Sequence, residues 1–399
     1  MRLFNTADIL LPREADMTKW SCIACDQFTS EPSYWDGASA LVGEAPSTLR
    51  LILPEAYLDS RDSGEETNKI YAAMNSYLQN GVFREVSDSL VYVERTLPSG
   101  AVRRGLVGTL DLEGYDWSEG TKTEIRATEG TVESRLPART RVRAEAALEL
   151  PHIMVFIEDP MNRVIPSAAG GEALYDFDLM LGGGHISGSR VTGADAERVI
   201  ASIEALRSTG IRFGMGDGNH SLAAAKRCWE ELKPTLSAAE RETHPARRAL
   251  VELVNIHDSA VTFEPIHRVI SGTDPSLFMA AADGMFPQGL NGHKVTFVAA
   301  GRKKTVTVPG FTIGQLVDKA DAFCTEYIKR YGGTADYIHG DAEAEALMSR
   351  SDSVGILLPA MEKGELFVSV QKTGPLPKKS FSLGNARDKR YYLECRKIK

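Results

Sequence analysis

The chain has 399 residues, with 46 lysines and arginines against 54 aspartates and glutamates and a formal net charge of −8. This acidic balance argues against direct binding to DNA or to an anionic membrane, because both attract basic surfaces. Hydrophobic residues make up 43% of the chain and charged residues 25%, which is typical of folded globular proteins. The length exceeds the usual size of a single core and predicts two domains.

The number and spacing of the cysteines and the lengths of the apolar runs indicate the cellular compartment of the protein. Five scattered cysteines do not form the pattern of a disulfide framework. Cys22 and Cys25 form a Cys-x-x-Cys pair without a second pair to complete a zinc site, so we expect buried structural thiols. The first residues lack the apolar core of a signal peptide, and no apolar run approaches the roughly 20 residues of a membrane helix. We expect a cytoplasmic protein that does not span a membrane.

Apolar residues recur along the chain in alternating strand and helix patterns, which indicates a mixed α/β fold (α+β in part). Strands are predicted at residues 19–25, 47–54, 90–96, 102–110, 153–157, 211–215 and 250–256. Helices are predicted at residues 65–80, 139–150 and 222–233. Beyond Arg268 the tight strand–loop–helix units become less evident. We therefore divide the chain into a core domain, residues 1–268, and a smaller C-terminal α+β region, residues 269–399.

The strongest local signal is the segment Gly214-Met-Gly-Asp-Gly-Asn-His-Ser221, which joins a predicted strand to a predicted helix. Gly216 and Gly218 allow the backbone to turn tightly. The N–H groups and the positive dipole end of a helix start attract an anion, most often phosphate. Asp217 can hold a divalent cation or act as a base, and His220 can contact a phosphate or move a proton.

The same segment also fits a purely structural interpretation. Asp-Gly-Asn is a common turn sequence, and Asn219 or Ser221 can cap the following helix. The spacing matches neither a Walker A loop nor a Rossmann fingerprint. The residues alone therefore leave both a phosphate site and a simple turn open.

Seven motifs are spread over nearly the whole chain. They are Asp16-Met-Thr-Lys-Trp, Ala24-Cys-Asp-Gln-Phe-Thr-Ser, Ala45-Pro-Ser-Thr-Leu-Arg-Leu-Ile-Leu-Pro-Glu, Gly216-Asp-Gly-Asn-His-Ser-Leu-Ala, Val254-Asn-Ile-His-Asp, Glu264-Pro-Ile-His-Arg and Asp388-Lys-Arg-Tyr-Tyr-Leu-Glu. Together they resemble the bacterial family called domain of unknown function 1015. The family carries no settled activity.

The central motif of that family reads Asp-Gly-His-His-Arg ahead of a helix, and it is similar to the phosphate-binding helix start of the ParB and sulfiredoxin superfamily. The resemblance implies a ParB/sulfiredoxin-like core sheet flanked by helices. It also implies nucleotide binding, since members of the superfamily bind nucleotides and some are small-molecule kinases acting on free serine. The motif maps onto Asp217, Gly218, Asn219, His220 and Ser221.

This sequence departs from the family motif at two positions. Asn219 stands in place of the first histidine, and Ser221 stands in place of the arginine. The loss of the arginine removes a bidentate phosphate donor. Lys226, one turn further along, either replaces it in part or faces solvent. Backbone N–H groups need no particular side chain, so phosphate binding is affected less than kinase activity.

Further candidate residues lie in three other segments. Asp26 follows the first predicted strand in a polar turn and is a candidate base or metal ligand, or else simply a turn-forming residue. The family resemblance includes Arg126, a candidate phosphate ligand, and Glu129, a candidate base or metal ligand. Arg268 follows a predicted strand and is a good phosphate donor.

Together with these residues, the resemblance implies a nucleotide-dependent phosphotransferase of the ParB and sulfiredoxin type, a small-molecule kinase that uses ATP or ADP with Mg²⁺ on a small hydroxylated metabolite. The loop from Gly216 to Ser221 would hold the phosphates, with Asp217 on the metal and His220 on a phosphate. Asp26 or Glu129 would deprotonate the acceptor. Two alternatives stay open: a metal-assisted phosphoester hydrolase, and a non-enzymatic nucleotide-binding or regulatory module.

Overall fold

The computed structural model describes residues 2–58, 63–118, 120–206 and 210–399. The chain divides by contact into two compact units. The first comprises Met1–Ala127, Thr131–Val261 and Asn385–Lys399, and the second comprises Thr128–Gly130 and Thr262–Gly384. The segment 385–399 therefore belongs to the first unit, although most of the second unit precedes it in the chain. Among the described residues, no helix has the length and apolar character to cross a membrane.

The first unit is built on strands from the whole length of the chain. They are β1 (Phe4–Asn5), β2 (Ala7–Pro12), β3 (Cys22–Ile23), β4 (Phe83–Thr96), β5 (Val102–Asp111), β6 (Tyr115–Asp116), β7 (Ile125–Arg126), β8 (Leu148–Glu149), β9 (Met154–Ile157), β10 (Ala173–Asp178), β11 (His185–Thr192), β12 (Phe213–Asp217) and β13 (Arg248–Asn255). The second unit contains β14 (Phe263–Ser271), β15 (His293–Ala299), β16 (Arg302–Val308), β17 (Thr334–His339), β18 (Ser353–Leu357) and β19 (Phe381–Leu383). The chain returns to the first unit with β20 (Tyr391–Tyr392) and β21 (Arg396–Lys397).

One large sheet of the first unit has the strand order β10-β11-β4-β5-β13-β9-β12-β7-β6, with β1 added to β5 and β2 added to β4. Most neighbours are antiparallel, whereas β13 and β9, β12 and β7, and β6 and β7 run parallel. The long β4–β5 hairpin, in register at Val91 and Val107, is the predicted strand pair. The predicted mixed α/β class is confirmed.

The helices cover the apolar faces of this sheet. In the first unit they are α1 (Met17–Trp20), α2 (Pro32–Val42), α3 (Ser63–Gln79), α4 (Leu136–Ala144), α5 (Gly193–Glu204), α6 (Asn219–Leu232) and α7 (Ala238–Thr243). Helix α6 is an example of this packing, because Leu222, Ala225 and Trp229 recur at helical spacing and are fully buried in the core. This packing fixes the direction in which the first turn of α6 points.

Two predicted strands are wrong in whole or in part. Residues 47–54 form a 3₁₀ helix, Thr48–Leu51, because the Ser47 hydroxyl accepts the Leu49 N–H at 3.2 Å and caps the turn. Within residues 19–25 only Cys22–Ile23 is a strand, because the Asp16 carboxylate caps helix α1 just before it. Local side-chain caps outweigh the apolar pattern in both places.

The second unit has its own antiparallel sheet, in the order β16-β15-β18-β14-β17 with β19 added to β14. Its helices are α8 (Phe278–Ala282), α9 (Ile313–Tyr331), α10 (Asp341–Met348) and α11 (Glu365–Thr373). Phe278 packs edge-on against Phe297 and Tyr327, which joins α8, β15 and α9 in one aromatic cluster. The unit therefore has a separate core.

Candidate functional site

The turn between β12 and α6 is the centre of the candidate site. Strand β12 ends at Asp217 and α6 begins at Asn219, so Ser221 lies in the first helical turn. Gly218 has a φ of 78°, in the left-handed region that favours glycine, and a Cβ there would lie 3.0 Å from the Cα of Ile153. The helix-capping position belongs to Gly218, which provides no side-chain cap, and not to the predicted Asn219 or Ser221.

Asp217 carries the negative charge at this helix start. Its Oδ1 accepts the Gly218 N–H at 2.8 Å, and its Oδ2 lies 3.2 Å from the Lys389 ammonium. Gly216, in β12, leaves room for the Phe156 ring of the neighbouring strand β9, since a Cβ at Gly216 would lie 2.8 Å from that ring. The helix dipole and Lys389 both stabilise an anion at this point.

A chain of hydrogen bonds runs from Ser221 into the core through His152. The Ser221 hydroxyl lies 3.3 Å from His152 Nε2, and His152 Nδ1 lies 2.7 Å from the Tyr392 hydroxyl. The Tyr392 hydroxyl in turn donates to Cys25 Sγ at 3.2 Å. In the neutral ring with Nδ1 donating to Tyr392, the lone pair of Nε2 points to Ser221 and can accept a proton from a hydroxyl. The protonated ring then carries the charge that stabilises the Asp26 carboxylate.

Cys25 itself is not a nucleophile in this arrangement. Burial, together with the nearby Asp26 charge, raises the pKa of the Cys25 thiol to about 12. Burial also raises the pKa of Cys22 to about 12. Both cysteines are free thiols; Cys22 is buried, as expected, whereas Cys25 is half-buried.

Asp26 lies beside the same histidine. Its Oδ2 is 3.9 Å from His152 Nε2, and its Oδ1 accepts the Gln27 amide at 3.0 Å. Burial acts to raise the pKa of Asp26, but His152, the Gln27 hydrogen bond and the charges of Lys389 and Arg139 outweigh burial and hold the pKa below its ordinary value of 3.8. Asp26 is therefore an ionised carboxylate, and Lys389 links it electrostatically to Asp217.

The C-terminal segment delivers Lys389 and Tyr392 to the site. Strand β20 pairs antiparallel with β3, with Tyr392 opposite Cys22. The Trp20 indole donates to the Leu393 carbonyl at 2.9 Å, and the Ser21 hydroxyl donates to the Tyr392 carbonyl at 3.0 Å. These bonds fix the backbone of the segment on both sides of the tyrosine.

Arginines from β4 and β5 hold the same segment from the other side. Arg95 donates to the carbonyls of Arg387 at 2.9 Å and Lys389 at 3.1 Å, and Arg103 donates to that of Asp388 at 2.8 Å. These hydrogen bonds of Arg95 go to carbonyl oxygens and not to a carboxylate. Burial therefore lowers the pKa of Arg95 to about 9. Two buried guanidinium groups thus position the backbone that carries Lys389.

His220 has a positioning contact of its own. Its Nε2 accepts the backbone N–H of Val132 at 3.0 Å, so the neutral ring carries its proton on Nδ1. The imidazole therefore ties the first turn of α6 to the chain that leads into α4.

The remaining predicted site residues make contacts within their own units. Arg126 donates to the carbonyls of Thr123 at 2.7 Å and Gly210 at 3.2 Å. Arg268 and Glu129 belong to the second unit. Arg268 is buried and bonds both oxygens of Asp321, at 2.7 and 3.1 Å.

Glu129 accepts the backbone N–H of Lys379 at 2.8 Å. Of the predicted residues, Asp26, Asp217 and Ser221 are the ones gathered around Lys389 and His152.

The metal prediction concerns Asp217. Within the described ranges, no group of three or more His, Cys, Asp and Glu side chains is arranged to hold a metal ion. Mg²⁺ commonly binds through one or two carboxylates together with phosphate oxygens and water. One carboxylate at a helix start fits that mode, provided that Lys389 moves from Asp217 to a phosphate.

Sequence reasoning missed His152, Tyr392 and Lys389. The last two lie inside the Asp388-Lys-Arg-Tyr-Tyr-Leu-Glu motif, which gave the only signal that this segment matters. His152 stands alone between two short strands, with no motif around it. Its importance follows only from the contacts that the fold brings to it.

Among curated proteins, no match to the chain was found. C-terminally truncated SbnI from Staphylococcus aureus is 10% identical with a TM-score of 0.38, over 70% of this chain and 83% of that one. A conserved hypothetical protein from Pyrococcus furiosus is 10% identical with a TM-score of 0.31, over 71% and 90%.

A free serine kinase in complex with AMP is 11% identical with a TM-score of 0.35, over 73% of this chain and 90% of that one. TM-scores this low carry no argument about fold or function. The family comparison is decisive instead: the family described as Protein of unknown function (DUF1015) matches residues 7–394. The chain belongs to this family.

Proposed function

We propose that this DUF1015 protein is a nucleotide-dependent phosphotransferase that acts on a small hydroxylated metabolite. The observation that carries the proposal is the Asp217–Lys389 pair at the start of α6, at 3.2 Å. A helix start with an adjacent lysine attracts phosphate, and an adjacent aspartate suits the metal that accompanies nucleotide phosphates. The ParB- and sulfiredoxin-like interpretation of residues 216–221 is part of this proposal.

The phosphates of the nucleotide would lie at residues 216–221. Lys389 would leave Asp217 and neutralise a phosphate that lies beside the positive dipole end of α6. Asp217 would hold Mg²⁺ together with phosphate oxygens, and the ion would neutralise charge on the transferred group. His220 acts by fixing the helix start through Val132.

The acceptor hydroxyl would bind between Ser221, His152 and Asp26. In the transfer, a bond forms between the acceptor oxygen and the terminal phosphorus, and the bond from that phosphorus to the leaving phosphate oxygen breaks. The hydroxyl proton passes to Asp26, which is ionised before the transfer because its pKa is lowered. A weak base suffices, since phosphoryl transfer rests mainly on positioning and charge neutralisation.

A thermal-shift screen against nucleoside mono-, di- and triphosphates, with and without Mg²⁺, tests the proposal. Binding to the folded state raises the melting temperature by mass action, by an amount set by the ratio of ligand concentration to Kd. We expect a magnesium-dependent shift with one nucleotide, and we expect Asp217→Asn to abolish it. Asp195→Asn, which removes an exposed carboxylate from α5, is the matched control and should leave the shift unchanged.

The outcomes separate the rival functions. Turnover of the nucleotide without an acceptor would indicate a phosphoester hydrolase, and tight binding without turnover would indicate a regulatory module. No shift with any nucleotide, or an equal shift in Asp217→Asn, would overturn the phosphate site itself.

A further inference from the structure

A cavity of about 180 Å³ lies beside the hydrogen-bonded chain of the first unit. At one end it is lined by the polar groups of Cys25, His152, Ser221 and Tyr392. The rest of the lining is mostly aliphatic and includes Leu51, Leu53, Met74, Val142, Leu148 and Ala224. The cavity therefore joins a hydroxyl-binding end to an apolar body.

The size of the cavity limits what it can hold. An engineered apolar cavity of about 150 Å³ in another protein stays dry and binds benzene. The volume here is slightly larger, so it suits a group of roughly six to eight carbon atoms. Burial of such a group stabilises a complex by about 0.8 kcal/mol for each CH₂, which makes the aliphatic lining a source of selectivity.

Four of the charged residues around the cavity form two ion pairs with each other. Arg143 lies 2.7 Å from Glu149, and Arg139 forms an ion pair with Glu55. Each pair brings one positive and one negative charge, so neither leaves a net charge for a ligand. Arg141, whose side chain is exposed, also borders the cavity. The Asp26 carboxylate, however, lies 3.9 Å from His152 Nε2 at the polar end of the cavity and would repel a second carboxylate there. The polar end therefore favours a neutral ligand.

We infer that the acceptor is a neutral alcohol with an aliphatic or aromatic group of about six to eight carbons. Its hydroxyl bonds Ser221 and His152, and its apolar group fills the cavity toward Ala224. The role of the hydroxyl as phosphoryl acceptor rests on the proposed function. The binding of an apolar alcohol does not, because it requires only the cavity and its polar end.

The first test measures binding without nucleotide. We expect 1-hexanol and benzyl alcohol to bind at least tenfold more tightly than glycerol or hexanoate in calorimetry or thermal-shift titration. Ala224 lies three residues after Ser221, on the same face of α6, and it is buried. Ala224→Leu should fill the cavity and weaken 1-hexanol binding at least fivefold. Ala144→Leu, at an exposed position outside the cavity lining, is the matched control and should change it less than twofold.

A second variant covers the case in which Ala224→Leu does not fold. Ser221→Ala keeps the cavity but removes the hydroxyl partner, so it should weaken 1-hexanol binding while leaving the melting temperature of the free protein nearly unchanged. Equal or tighter binding of glycerol or hexanoate, or an unchanged 1-hexanol affinity in a folded Ala224→Leu protein, would overturn the inference.

The two proposals fail differently. Alcohol binding without any nucleotide shift would leave the cavity assignment standing and remove the phosphotransferase. A nucleotide shift without alcohol binding would do the opposite. If both ligands bind, phosphorus NMR should show hexyl phosphate forming from 1-hexanol, ATP and Mg²⁺, and its absence would overturn the assignment of this alcohol class as the acceptor.

Discussion

Lys389 and Arg390 are neighbours in the chain, yet they serve two different regions of the first unit. Arg390 is buried between Glu252, at 2.9 Å, and Glu394, whose other oxygen accepts the Tyr175 hydroxyl at 2.5 Å. Burial acts to lower the pKa of Arg390, but the two carboxylates outweigh it and raise the pKa. Lys389 is partly exposed and has the Asp217 ion pair at 3.2 Å.

The difference separates a structural charge from a functional one. A buried cation between two carboxylates cannot exchange partners without a large loss of free energy. A partly exposed pair such as Lys389 and Asp217 can open to accept a phosphate at small cost, since such pairs contribute about 0–1 kcal/mol to stability. Partial exposure, more than charge itself, therefore marks the candidate site.

Arg390→Met tests the structural side of this comparison and has the largest expected effect. It leaves Glu252 and Glu394 buried without their cation, which should lower the free energy of unfolding by about 3–5 kcal/mol. Lys389→Met is the matched control and should lower it by at most about 1 kcal/mol. Urea unfolding followed by circular dichroism measures both, and similar losses in the two variants would contradict the comparison.

Lys389→Met tests the functional side. If Lys389 binds a phosphate, its removal should weaken nucleotide binding by about 1.5–3 kcal/mol, the usual strength of a hydrogen bond to a charged group, or roughly 10- to 150-fold. Titration calorimetry with the nucleotide found in the screen measures the change. Lys69→Met, an exposed lysine on α3, shows the effect of losing a different lysine of the same unit. An unchanged affinity in Lys389→Met would remove the lysine from the site.

A smaller effect is expected from Asp26, through pH. Its lowered pKa means that the folded state is stabilised above the ordinary value of 3.8 and loses this stability as pH falls through the folded-state pKa. Asp26→Asn should therefore be less stable than the wild type at pH 7, and the difference should shrink below pH 3.8. Melting temperatures across this range measure it, with Asp195→Asn as the control for the loss of one carboxylate. A difference that persists or grows at low pH would contradict the assignment.

The smallest effect concerns His185, whose ring lies 2.8 Å from Asp178 and 2.7 Å from Asp176. The Asp178 hydrogen bond outweighs partial burial and raises the pKa of His185 above 6.5. Its stabilising effect is present below pH 6.5 and is lost as pH rises through the folded-state pKa. His185→Gln should change stability by no more than about 0–1 kcal/mol, because the pair is exposed. A larger change at pH 8 than at pH 5 would show that the sign is wrong.

The sequence predicts features of this molecule that are local. The β4–β5 hairpin, the turn at Asp26 and the strand–turn–helix around Asp217 follow from apolar spacing and from glycine positions. The same logic fails at residues 47–54, where hydroxyl groups bond the backbone more favourably than a strand would.

The contacts among His152, Tyr392 and Asp26 join residues that are far apart in the sequence, so residue spacing within one element cannot predict them. Strand β20 must pair with β3 from the other end of the chain before Tyr392 approaches His152. Lys389 likewise depends on Arg95 and its hydrogen bond to the Lys389 carbonyl. Periodicity describes one element at a time, so it cannot place side chains that such pairing brings together.

The return of residues 385–399 to the first unit sets an order of events during synthesis. The ribosome makes β3, His152 and Asp217 first, then the stretch Thr262–Gly384 of the second unit, and only then Lys389 and Tyr392. At about 5–20 residues per second, the intervening stretch delays the last strands by on the order of ten seconds. During that interval β3 of the nascent first unit lacks its partner β20. The backbone N–H and C=O groups of Cys22 and Ile23 are then available to pair with a chaperone or with a wrong strand.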